Sequence, residues 1–393
     1  MTAAGPTLER GDVLVENGRI SAVGIDLVAP SGVLVIDAIG RWITPGIIDP
    51  HSHLGVYAMP TTSSSADGNE MTGPFKPDLR AEDSFWPQDP AIERALAGGV
   101  TTIHVLPGSA NLVGGQGVTL RLVRALSARE MRTPDAPITM KLACGENPIR
   151  VYGAGKGTEP QTRMAEVAML RQKLENARAY RLEPGKPRDF ASEALAQVLR
   201  GEILVQNHCY RADEMLVRIE LFREFGTAPR AFHHAVEAYK IRAKLAQAGI
   251  GAVVWADWGG LKMELVDAIP ANAALLQQAG VRVALHSDSP YDIQHLNQEA
   301  AKAMAAGQRA GVPVEREDAL RWIAANPAWI LGIDARTGTL EPGKDADLVL
   351  WSRDPFSVYA RAEQVYIAGR REYDRASPGP PRSDFELGLG GAP

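Results

Sequence analysis

The chain has 393 residues, 45% hydrophobic and 23% charged, with a formal net charge of −5 and a pI near 6.0. That length holds one barrel of about 250 residues with appendages, and the absence of any Lys/Arg run argues against a nucleic-acid or anionic-membrane partner and for a small polar substrate. With two cysteines, Cys144 and Cys209, neither in a CxxC, no disulfide framework is expected. No apolar run approaches membrane-spanning length and the first residues lack a secretory pattern, so the expected location is cytoplasmic, or periplasmic if the numbering begins inside a processed precursor.

In chain order, Asp12–Glu16, Arg19–Gly24 and Gly32–Asp37 read as β-strands, the first two joined by Asn17-Gly18, a strong hairpin signal. From Thr44 to Asn326 strands and helices take turns. Strands are expected at Gly46–His53, Val100–Leu106, Val118–Leu122, Ile138–Ala143, Glu202–His208, Arg230–His234, Ala252–Trp255 and Val281–Asp288. Helical periodicity covers Arg163–Tyr180, Phe190–Leu199, Asp213–Glu224, Ala238–Gln247, Asn272–Ala279 and Gln294–Ala310. Repeated β-then-α units point to a parallel sheet, and eight of them to a (β/α)8 TIM barrel over 45–326. Strand texture returns at Ala346–Trp351 and Ala362–Ile367, so residues 1–44 and 327–375 are expected to form a small β domain from both termini. The loop Tyr57–Pro90 is too long for a routine connection and is expected to act as a lid. The tail 376–393, rich in Gly and Pro, is expected to be mobile.

Chemistry concentrates where apolar runs end. Pro45-Gly-Ile-Ile-Asp-Pro-His51-Ser-His53 closes on two histidines that share one face of an extended strand, which makes half a metal site. Lys141, His208, His233-His234 and Asp288 end four further runs. Active sites of such barrels lie at the C-terminal ends of strands, and buried charge gathered there needs a metal or a partner. Imidazole nitrogens with carboxylate oxygens suit Zn, with Mn, Fe or Co as alternatives.

Together with Gly99-Val-Thr-Thr, His286-Ser-Asp-Ser, Asn326-Pro-Ala and Gly338-Thr-Leu-Glu-Pro-Gly-Lys-Asp-Ala-Asp-Leu-Val, these segments resemble the metal-dependent amidohydrolase superfamily, in particular its imidazolonepropionase-like and Xaa-Pro-dipeptidase-like branch. The resemblance spans nearly the whole chain. It implies a (β/α)8 barrel beside a β-sandwich built from both termini. It departs from the pattern at the start, where only Thr2–Arg10 precede the first strand, so the small domain is expected to be trimmed.

By resemblance, His51 and His53 bind the more buried metal, His208 and His234 the second, and Asp288 ends the eighth strand. His234 is preferred over His233 because His234-Ala-Val-Glu-Ala-Tyr matches the family's His-x-x-Glu-Ala-Tyr. Lys141 would be carboxylated and bridge two Zn ions, since an unmodified ammonium has no lone pair to offer. A salt bridge from Lys141 to Glu146 is the alternative, with Glu146 as the fallback ligand. The expected reaction is hydrolysis of an amide-type C–N bond in a dipeptide or N-acyl amino acid. Metal would lower the pKa of bound water from 15.7 towards about 7 and supply the attacking hydroxide. Asp288 would carry protons, with His286 orienting it or bonding the oxyanion.

Arg211, Arg150, Tyr152 and Tyr239 are expected to bind substrate, a guanidinium offering a planar fork for a carboxylate. Trp255-Ala-Asp-Trp258 is read as an aromatic wall or as core packing. The glycine-rich stretch Gly108–Gly117 lacks the Lys-Ser/Thr of a phosphate-binding loop and is read as a tight loop lining the site. Alternatives are a cyclic amide or imidazolone hydrolase, a mononuclear deaminase of the same superfamily, and a non-catalytic small-molecule binding protein. Homo-oligomer formation is left open.

Overall fold

A computed structural model describes residues 1–180 and 187–379. Asn17-Gly18 turns as expected, both residues with positive φ, between β1 (Asp12–Glu16) and β2 (Arg19–Gly24). β3 is Trp42–Pro45. The barrel strands follow: β4 (Ile47–Ser52), β5 (Val100–Val105), β6 (Val113–Arg121), β7 (Thr139–Ala143), β8 (Leu204–His208), β9 (Ala231–His233), β10 (Gly251–Val254) and β11 (Val283–Leu285). The chain then returns through β12 (Leu348–Trp351), β13 (Ala362–Ile367) and β14 (Arg370–Asp374).

β4 to β11 form one eight-stranded sheet in sequence order, a (β/α)8 TIM-type barrel. Its two edges meet where the Asp288 N–H donates to His51 O at 3.2 Å. Buried Asp49 adds a clamp by accepting from the Ser287 hydroxyl and, at 3.4 Å, the Ser287 N–H. β3 pairs with β12 in a four-stranded sheet that joins the two ends of the chain, beside the β1–β2 hairpin. These small sheets are the β-sandwich companion of the barrel.

Three expectations change. The third barrel strand is longer than Val118–Leu122 and runs antiparallel to both neighbours. Residues 106–112 alone link it to β5, whereas a parallel crossover needs a dozen or more. Half of the glycine-rich stretch is therefore strand, and the long segment after β4 lies along it: a Cβ at Gly115 (φ +131°) would meet Leu79 O at 2.8 Å. Secondly, Gly32–Asp37 forms no strand; Leu34 and Val35 are 86% and 70% exposed, and no sheet edge receives the run. Thirdly, the two cysteines are joined. Ala143 and His208 are register partners in parallel strands, so the next residues, Cys144 and Cys209, stand side by side with Cα atoms 5.4 Å apart.

The helices are close to expectation, with Arg163–Ala179, Phe190–Leu199 and Ala212–Glu224 on the outside of the barrel and Leu296–Arg309 near its end. The barrel floor is filled by Ile48, Ala231, Val253 and Ala284 packed on Ala328, Ile330 and Leu331; burial of such a side chain contributes roughly 1.5–3 kcal/mol each for the larger ones. The tail expected to be mobile lies, from residue 380, outside the described residues. Among the described residues no helix is long and apolar enough to cross a membrane.

Candidate metal centre

Five strand ends converge on one mouth of the barrel. β4 delivers His51, with His53 one residue past its end; β7 delivers Lys141, β8 His208, and His234 follows β9. His286 and Asp288 follow β11. Asp288 Oδ1 lies 3.2 Å from His53 Nε2 and 3.6 Å from His51 Nε2, and its Oδ2 lies 4.0 Å from His234 Nδ1. The His234 ring stands 4.3 Å from that of His51 and 4.7 Å from those of His208 and His286. Lys141 Nζ is 3.4 Å from His51 Nε2 and donates to Pro107 O at 2.9 Å. His234 and Asp288 both hold φ +56°, a backbone region costly for residues other than glycine and frequent at functional sites. That bend lets His233 and His234 serve different purposes.

The electrostatics show a pocket short of partners. Burial pushes His51, His208 and His234 well below the usual histidine range and His286 down to about 3, so the imidazoles are neutral and hold free lone pairs. Burial likewise brings Lys141 down to about 7. Burial raises Asp288, but the hydrogen bond and charge of His53, with the charge of Lys141, outweigh it and keep the carboxylate below its usual range. His234 Nδ1 and both ring nitrogens of His286 are buried with no hydrogen-bond partner, an arrangement worth about 1–3 kcal/mol of instability per group unless something binds there. His51, His234 and His286, and separately His51, His53 and Asp288, bring their ligand atoms within 4.8 Å of one another. Nitrogen donors with a single carboxylate fit a divalent cation such as Zn.

The chain matches the Amidohydrolase family model over residues 235–373. It is 38% identical to an amidohydrolase of known structure from Thermotoga maritima MSB8, covering 92% of this chain and 95% of that one with a TM-score of 0.86. The chain belongs to the amidohydrolase family. It is also 35% identical to the amidohydrolase tasK of Hapsidospora irregularis over 93% of this chain, spanning only 40% of that longer protein. With the imidazolonepropionase of Mesorhizobium japonicum it shares 26% identity over 92% of this chain and 90% of that one. As an amidohydrolase it is an enzyme of carbon–nitrogen bonds in small molecules.

In this amidohydrolase the ring orientations are set from behind. His51 Nδ1 lies 2.8 Å from His233 Nδ1, and His233 Nε2 lies 2.7 Å from Gln206 Oε1, so His233 backs His51 and does not face the mouth. His53 donates from Nδ1 to Leu106 O at 2.8 Å, which turns its Nε2 to Asp288. His208 is held by Ser109 Oγ at 3.0 Å, and Asn147 Nδ2 stands 3.4 Å from its Nε2. Hydrogen bonds of this kind fix tautomer and ring angle in metal sites.

Of the four expected substrate contacts, three are engaged within the protein. Arg211 forms a two-pronged pair with Asp213, and Arg150 is exposed. The Tyr152 hydroxyl is buried 2.8 Å from both Gly73 O and Asn111 Oδ1, and the Tyr239 hydroxyl donates to Asp267 O at 3.1 Å. Glu146 lies 3.6 Å from Lys262, and Lys141 is not its ion-pair partner. Lys262, Asn147, Asp49 and Ser287 were not singled out by sequence reasoning. Asp49 lay inside the His51 motif, and Ser287 between His286 and Asp288; for Lys262 and Asn147 no local signal existed.

Proposed function

We propose that this amidohydrolase hydrolyses an amide-type C–N bond of a dipeptide or N-acyl amino acid. The observation that carries the reading is the set of buried, unpartnered imidazole nitrogens around one carboxylate and one lysine at a barrel mouth. His51, His53, His208, His234 and Asp288 would hold two divalent metals, Zn first, with a carboxylated Lys141 between them. When bound, the metals supply Lewis acidity, which polarises a carbonyl and makes water more acidic.

Lys141 is suited to carboxylation because burial lowers its amine to about 7, so that near neutral pH a substantial fraction is uncharged and nucleophilic towards CO2. The reaction adds CO2 to Nζ and releases one proton. The neutral amine thereby becomes an anion among neutral imidazoles, and where Lys141 starts as the ammonium a second proton leaves before the attack. Asp288 Oδ accepts the proton of the attacking water and returns it to the leaving nitrogen, acting as base and then acid. His286, with its two uncommitted nitrogens, would donate to the oxygen that becomes negative during attack.

A second reading, hydrolysis of a cyclic amide, is supported by the near full-length likeness to an imidazolonepropionase. Elemental analysis together with a hydrolysis panel of dipeptides, N-acyl amino acids and cyclic amides tests both. Two equivalents of metal and turnover of an acyclic amide are expected; a protein that reconstitutes with no divalent ion refutes the proposal. Lys141→Ala is expected to lose most of the bound metal, and retention of two equivalents would remove the bridge.

A further inference from the structure

The rim above the histidines is built asymmetrically. Trp255 follows β10, with its ring 4.5 Å from that of His234 and 4.8 Å from that of His286. Trp258 stacks on it at 5.2 Å and 15°, and Tyr210 lies nearly parallel to it at 6.5 Å and 23°. Three flat rings thus stack beside the imidazoles, Trp255 and Tyr210 buried with Val236 and Leu265 and Trp258 half-buried at the edge. The indole Nε1 of Trp255 is buried and has no hydrogen-bond partner.

At the Tyr210 end of this stack stands a cation. Lys262 Nζ donates to Asn147 Oδ1 at 2.9 Å and to the Tyr210 hydroxyl at 3.1 Å, and sits over the Tyr210 ring at 5.1 Å. Both acceptors are neutral. An ammonium has three donors, and Glu146 Oε1 at 3.6 Å is beyond hydrogen-bond reach, so one donor lacks an acceptor among the described residues. Asn147 links this ammonium to His208, so the cation is one side chain away from the metal centre.

We propose that Lys262 and the edge of the Trp255–Trp258–Tyr210 stack form the substrate-recognition subsite. Lys262 takes a carboxylate, the rings take a flat apolar group, and the Trp255 N–H donates to a substrate oxygen. The ligand class is an N-acylated or dipeptidic amino acid with an aromatic side chain and a free carboxylate. The identity of the bond cleaved rests on the amide-hydrolase reading; the recognition itself does not. Lys262, on the loop after β10, replaces the guanidinium expected from Arg211, whose fork is closed on Asp213. Aromatic rings hold flat groups by stacking and area burial, and an ammonium donor without a hydrogen-bond acceptor offers a charge-assisted bond to a carboxylate, which would compete with Glu146 at 3.6 Å.

Calorimetric titration of the full chain in an Asp288→Asn background, where turnover does not consume the probe, tests this with N-acetylphenylalanine and N-acetylphenylalaninamide. The acid is expected to bind about tenfold more tightly than the amide, the difference expected of one charge-assisted hydrogen bond. Lys262→Met should erase the difference, Lys262→Arg should retain most of it, and Trp255→Leu should weaken both probes alike. Equal binding of the two probes, no binding of either, or a preference that survives Lys262→Met overturns the subsite. If the hydrolysis panel shows no turnover while the acid preference and its loss hold, the amide-hydrolase reading fails and the subsite stands.

Discussion

Two buried polar clusters sit at the same end of this barrel and resolve the cost of burial in opposite ways. Behind the mouth, Arg163 bonds both Glu214 and Glu264, and Arg218 lies 3.6 Å from Glu166. Glu166 and Glu264 also accept the backbone N–H groups of Gly145 and Glu146 at 3.1 Å. Apart from Glu166 Oε1 and Arg218 Nη1, that cluster closes on itself and fixes the segment that leaves β7. The histidine cluster has one carboxylate, a buried lysine and unpartnered nitrogens. The first is a scaffold complete within the chain, whereas the second is incomplete without a ligand.

If that contrast is right, the largest effect on catalysis comes from the incomplete cluster. Asp288→Asn keeps the shape and removes the proton acceptor, so kcat on the best substrate of the panel should fall by about 10²–10⁴, with metal content per chain falling only in part. Unchanged turnover would exclude its proton-transfer role. The scaffold should answer in stability instead. Arg218 and Glu166 are each about 2% exposed, and breaking a buried pair by removing one partner costs about 3–5 kcal/mol. Arg218→Met should lose that much in urea unfolding of the metal-free protein, while His234→Gln should cost little there because its Nδ1 bonds nothing. Equal losses in the two variants would erase the distinction.

How much of this was legible in the sequence follows the same division. The strand ends announced themselves, because a polar residue that closes an apolar run needs no tertiary information: His51, His53, Lys141, His208, His234 and Asp288 all arrive at one mouth. Side chains whose meaning depends on contacts across the fold gave no such sign. Lys262 lies 115 residues from Asn147, and Arg163 reaches Glu264 over 101 residues. The direction of β6 was hidden because an apolar run reads the same in both directions. Gly32–Asp37 misled for a related reason, since strand propensity describes a surface that fits a sheet and cannot supply the neighbouring strand.

The scaffold also has a pH signature. Burial raises Glu166 to about 7, against a usual value near 4.5, with Arg218 only partly offsetting it. Between those values the folded chain binds more protons at this site than the unfolded chain, so the contribution to stability is complete below about 4.5 and is lost as pH rises through about 7. Glu166→Gln should remove that downward slope from the unfolding free energy between the two values. A slope identical in the variant would assign it to other groups.

The smallest effect separates packing from recognition at Tyr152. Its hydroxyl lies between Gly73 O on the long segment after β4 and Asn111 Oδ1 on the link into β6, so it ties that segment to the chain after β7. Both neighbours are protein acceptors, and a hydroxyl has one proton to give. Tyr152→Phe should therefore lower stability by about 1 kcal/mol and leave KM for every substrate of the panel unchanged. A rise in KM confined to substrates with a free carboxylate would instead put Tyr152 in contact with the ligand, and would move the recognition surface from the Trp255 side of the mouth to the side of that segment.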